Sequence, residues 1–221
     1  MKLIVPSTLE EISLSKYQTY LKEFEKSKSQ KNQETYLGLK MLEIFCEITP
    51  EQAKQIDADD ANKVVSLIVD LLSVEQPLVE SFRLGGIEFG WLPKLDALPF
   101  GAFLDLNNNV DDWDNMVTAM GVLYRPVTGR AKDGKYLVEK YEGDKYHDIL
   151  QHMPMSAVLG ARVFFWNLGL DLVMSTLNSL GKEANKMSLV KKLNSQENGD
   201  GLHHSLNSLK TMLLELKKLP N

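Results

Sequence analysis

One cysteine, Cys46, stands in 221 residues, so the chain cannot form an internal disulfide, and this usage points to a reducing compartment. Set between Phe45 and Glu47 at helical spacing from Leu42, it reads as a small buried apolar residue rather than a reactive thiol. A dominant charge is also lacking. With 25 basic and 30 acidic side chains the net charge is only -5, so no whole-protein attraction to nucleic acid or to an anionic membrane is expected. Nor is there a long apolar run. Met155 to Met174 comes nearest, but Arg162, Asn167 and Asp171 interrupt it, and charge at membrane depth is costly, so a buried helix of a soluble protein is the better reading. Met1 to Pro6, with one charge and a very short apolar stretch, does not read as a signal peptide.

Recognisable catalytic spacing is missing as well. Gly85-Gly86 is not followed by the Gly-Lys-Ser/Thr of a phosphate loop, and no serine lies in a nucleophile-elbow sequence. His147 and His152 are five apart and His203 and His204 adjacent, neither being the i, i+4 spacing of a helical zinc site. Asp105, Asn107 and Asn109 start like a calcium loop, which then fails at Val110, where a turn glycine belongs, and at Met116, where a closing glutamate belongs. An asparagine-rich loop explains them, and Asp111, Asp112 and Asp114 read as caps and helix-dipole partners. The expectation is therefore no enzyme, no cofactor and no metal.

What is present predicts a mainly α fold with one or two small β-hairpins, an α+β arrangement with a helical core around a long central helix. Ser13 caps a helix bearing Leu14, Tyr17, Leu21 and Phe24, and a second helix carries Leu37, Met41, Ile44 and Phe45. Thr49-Pro50 opens another, and Asp59 or Asp60 starts a helix with Val64, Leu67, Ile68 and Leu71. Gly85-Gly86 predicts a tight hairpin over residues 82–92, and Asp133-Gly134 a second over 127–138. Between them a short helix from Phe100 to Leu106 is followed by one capped by Asp111 or Asp112, carrying Trp113, Met116, Met120 and Tyr124 and ending at Pro126. A helix from about Asp144 to His152 precedes the long one opening at Pro154, on which at least one of Phe164, Phe165 and Trp166 is expected to be largely buried. Residues 1–181 thus form the globular domain, 182–201 a linker, and 202–219 a C-terminal amphipathic helix.

Two features suit contact with a partner. Arg162 lies on a helix crowded with Val163, Phe164, Phe165 and Trp166, where it needs either an internal carboxylate or an interface; internal pairing is the favoured reading. Leu202, Leu206, Leu209, Leu213 and Leu216 alternate at spacings of four and three, a short coiled-coil seam suited equally to docking on its own domain and to binding another helix, including that of a second copy.

The ordered stretches Ser13 to Leu21, Lys40 to Cys46, Gly86 to Pro93, Val122 to Pro126 and Val163 to Gly169 resemble a phage morphogenesis family of the tailed bacteriophages. This group is most similar to tail assembly chaperones, small helical cytoplasmic proteins that hold the tape-measure protein and recruit tail-tube subunits before release. The resemblance implies a non-enzymatic role in the host cytoplasm, with tape-measure or tail-tube protein as partner and with neither nucleic acid nor membrane as target. Two alternatives stay open: a virion structural protein at the head-to-tail connection, and a host-directed phage enzyme or inhibitor.

Overall fold

A computed structural model of the chain describes residues 3–29, 31–95, 98–132 and 134–168, with residues 171, 174, 175 and 179 besides. It is a mainly helical α+β protein with a small antiparallel sheet of four strands. The chain divides into two units, Met1–Arg162 and Val163–Asn221.

The first unit opens with a 3-10 turn, Leu9–Glu11, and helix α1, Leu14–Ser27. Ser13 caps α1 as expected, its hydroxyl accepting from the Lys16 N–H at 3.3 Å. Helix α2 spans Gln33–Phe45 and α3 Pro50–Ala53, the latter opened by a full capping box between Thr49 and Gln52. Helix α4, Ala58–Ser73, starts one or two residues earlier than predicted. Asp57 supplies the cap by accepting from the Asp59 N–H at 3.0 Å, which leaves Asp59 and Asp60 in the first turn, where the helix dipole favours them.

Strands β1, Ser81–Leu84, and β2, Ile87–Trp91, form the tight hairpin around Gly85 and Gly86, both at positive φ. Helix α5 then runs Phe100–Asn109, through the asparagines assigned to a loop. Buried Ala102 and Leu106 anchor it, and the Asn109 amide donates to the Asp105 carbonyl at 2.6 Å. Asp105, Asn107 and Asn109 therefore sit on a helix, not in a cation-binding loop.

Helix α6 is shorter than predicted, Met116–Leu123. Asp112 closes the turn ahead of it instead of capping the helix, accepting from the Asp114 N–H at 3.0 Å and from the Asn115 side chain at 2.7 Å. Trp113 thus precedes the helix, and Tyr124 follows it as the first residue of strand β3, Tyr124–Arg130. Strand pairing overrides the helical pattern there: Trp91 is registered with Tyr124 and Phe89 with Pro126, so Pro126 lies inside a strand and ends no helix. Although it has no N–H to give, its carbonyl accepts from the Glu139 N–H at 2.8 Å. Strand β4, Tyr136–Val138, completes the second hairpin, and the β2–β3 pairing merges both hairpins into one sheet of order β1-β2-β3-β4. The helix expected from Asp144 to His152 is a single turn, α7, His147–Leu150.

The core gathers α6, the sheet and the residues around Pro154. Met116, Met120, Leu123, Tyr124, Phe89, Leu150, Met153 and Met155 are buried, as are Ile12 and Leu14. The chain before α1 is laced to the stretch before the long helix: the Leu14 N–H donates to Met153 at 3.0 Å and the Met155 N–H to Ile12 at 2.9 Å. Helical backbone begins at residue 155 and, within the first unit, presents Met155, Ala157, Val158 and Ala161 to the core. In the second unit residues 163–168 are helical. Of the three aromatics expected there, Phe164 and Phe165 are half-buried, their rings edge to face at 5.5 Å, and Trp166 is exposed. Met155 and smaller side chains make the fully buried stretch of this helix. The predicted linker and C-terminal helix, 182–219, lie outside the described residues.

Candidate functional site

Helix α5 is apolar on more than one side. Ala102 and Leu106 face the core, while Phe100 is 74% exposed, Phe103 49% and Leu104 39%. Positions 100, 103 and 104 share one helical face, so three large apolar side chains sit together at the surface, continued by exposed Asn107 and Asn108. Single exposed hydrophobics are ordinary, but adjacent ones rimmed by polar groups mark surfaces of contact. Exposed Leu67, Val69 and Val74 on or beside α4, and Leu137 on β4, are further apolar side chains at the surface.

The sequence reading singled out Arg162 and passed over Phe100, Phe103 and Leu104. A signal was there: Phe100, Ala102, Phe103, Leu104 and Leu106 are more apolar positions than one face of a ten-residue helix holds. What periodicity does not tell is which of them the rest of the fold covers.

Arg162 does not take the internal carboxylate favoured for it. Its guanidinium lies over the Trp113 ring, 4.5 Å from the centroid, and no carboxylate pairs with it among the described residues. Trp113 is held in turn by Tyr17, whose ring centroid is 4.8 Å away, and by the Gln18 amide, which donates to the Trp113 carbonyl at 2.5 Å. A cation over an indole face is partly compensated without an anion, which explains how a half-exposed arginine is accommodated here. Burial pushes the Tyr17 phenol up, and the Arg162 charge opposes that shift. Leu202, Leu206, Leu209, Leu213 and Leu216 lie outside the described residues.

The titratable groups are mostly tied into local pairs. Lys145 bridges Glu139 at 2.5 Å and Glu142 at 2.9 Å, which raises its ammonium pKa. Glu88 pairs with Arg130, and the Tyr141 hydroxyl donates to Asp105 at 2.8 Å. Cys46 is buried, and desolvation pushes its thiol up against the opposing charge of Lys16. Among the described residues no three His, Cys, Asp or Glu side chains gather where they could hold a metal ion. No helix among them is long and apolar enough to cross a membrane. No protein-family model, curated protein or solved structure matches the chain.

Proposed function

We propose that this protein is a non-enzymatic bacteriophage morphogenesis factor, a tail assembly chaperone that binds tape-measure or tail-tube protein in the host cytoplasm. The observation that carries the contact reading is the exposed face of α5, where Phe100, Phe103 and Leu104 stand together at the surface. The resemblance of five ordered stretches to the phage morphogenesis family supplies the identity of the partner. On this reading the α5 face takes an apolar segment of the client, and the seam from Leu202 to Leu216 is a second contact element.

Two measurements test this together: co-purification of the protein with tape-measure or tail-tube protein when they are expressed together, and its abundance in purified virions. A chaperone is captured with the client and is absent from the particle. Stoichiometric presence in virions overturns the chaperone reading in favour of a structural role at the head-to-tail connection, and failure to bind either client overturns both named partners.

A further inference from the structure

We propose that Arg125 and His147 form a binding site for one halide-sized monovalent anion, in a cavity between α6, the start of β3, the 139–146 loop and α7. The cavity measures about 10 Å³, the room of a single water, and Gly121, Arg125, Lys140, Tyr141 and His147 are among the residues that line it.

Arg125 is only 7% exposed. Its Nε donates to the Val122 carbonyl at 2.9 Å and its guanidinium lies 5.4 Å from the centre of the Tyr141 ring, yet its Nη2 is buried with no hydrogen-bond partner. No carboxylate pairs with it among the described residues. Asp105 accepts from the Tyr141 hydroxyl, and Glu142, the carboxylate lining the cavity, is paired with Lys145 at 2.9 Å. A guanidinium does not shed its proton in a protein, and the Tyr141 ring compensates it only in part, so a counter-charge stabilises a buried one. His147 adds a second group: its Nε2 is buried and also without a partner. With the proton on Nε2 the ring is a second donor beside Arg125. The wall next to it is bare, since a Cβ at Gly121 would stand 3.7 Å from that nitrogen.

Charge and size select the ligand. Lys140 adds a positive charge to the lining, and the small volume favours a compact monovalent anion over phosphate or sulfate. A water fits and accepts these hydrogen bonds, but it leaves the buried guanidinium unneutralised. A chloride or bromide ion is somewhat larger than a water; with a slight give of the lining it accepts from both nitrogens and cancels the charge.

The test compares melting of the full chain in sodium chloride, sodium bromide and sodium gluconate at equal ionic strength, together with Arg125→Met. The expected result is a saturable rise of a few degrees in chloride and bromide over gluconate, absent in Arg125→Met. An equal melting temperature in all three salts, or a halide shift retained by Arg125→Met, overturns the site. Should that variant fail to fold, the wild-type protein crystallised in bromide decides: an anomalous peak beside Arg125 Nη2 and His147 Nε2 supports the site, and a water there contradicts it.

Discussion

Gly160 packs directly on the carbonyl of Pro77. A methyl group at that Cα would collide with the Pro77 oxygen, with the Pro77 carbonyl carbon 3.0 Å away and the Leu78 Cα at 3.3 Å. All three are backbone atoms, so no side chain can swing aside. Alanine in a helix interior ordinarily gains up to about 1 kcal/mol over glycine. Here the overpacking term, about 1 to 3 kcal/mol, dominates, and Gly160→Ala is expected to lower the urea midpoint. A raised midpoint would show that the contact between the helix and the 77–78 backbone is loose.

Tyr124 ties the sheet to that same helix. Its buried hydroxyl donates to the Val79 carbonyl at 2.8 Å and lies 3.4 Å from the Ala157 carbonyl. Tyr124→Phe should cost about 1 to 2 kcal/mol by leaving a carbonyl unsatisfied. Burial raises the phenol well above its ordinary value of 10.0. The group therefore stays protonated in the folded chain while the unfolded chain loses its proton, so its contribution is intact below pH 10 and is lost as pH rises above it. Removing this phenol should reduce the alkaline slope of stability by about 1.4 kcal/mol per pH unit, measured by urea melts across that range.

Arg162 over Trp113 makes a different prediction from an arginine–carboxylate pair. Arg162→Met keeps much of the side-chain volume and loses the charge, and should cost about 0.5 to 2 kcal/mol. Trp113→Leu should cancel most of that difference in a double-mutant cycle. Independent, additive effects of the two substitutions would mean that the stacking contributes nothing.

Cys46 is expected to be unreactive in the folded protein, because burial both hides the sulfur and raises its pKa, reducing the thiolate at any given pH. A thiol-exchange reagent at neutral pH should titrate no thiol until denaturant is added. Immediate reaction in buffer would place Cys46 at an accessible surface.

Local features of this fold are legible in the sequence and its long-range joints are not. Ser13 and Thr49 cap their helices and Gly85-Gly86 makes its turn through interactions spanning a few residues, and all three can be read directly. The merger of the two hairpins depends on Trp91 meeting Tyr124, distant in sequence, and locally Tyr124 completes a helical pattern as well as it starts a strand. The close approach of the long helix to Pro77 is a long-range joint of the same kind: nothing local in the sequence shows that Gly160 must stay small. The charge of Arg162 in its sequence context points to a carboxylate or an interface, and nothing local points to the indole of Trp113.

The central claim is that the α5 face binds a client. Phe100→Ser combined with Phe103→Asp places polarity and charge on that face while touching no buried side chain of the helix. Substitutions at exposed positions away from special features usually change stability by no more than about 0.5 kcal/mol. The measurement is the dissociation constant of this double variant for tape-measure and tail-tube protein, taken beside its urea midpoint. The account predicts binding weakened at least about tenfold, equivalent to about 1.4 kcal/mol, with the midpoint unchanged. Wild-type affinity in a normally folded double variant would contradict it.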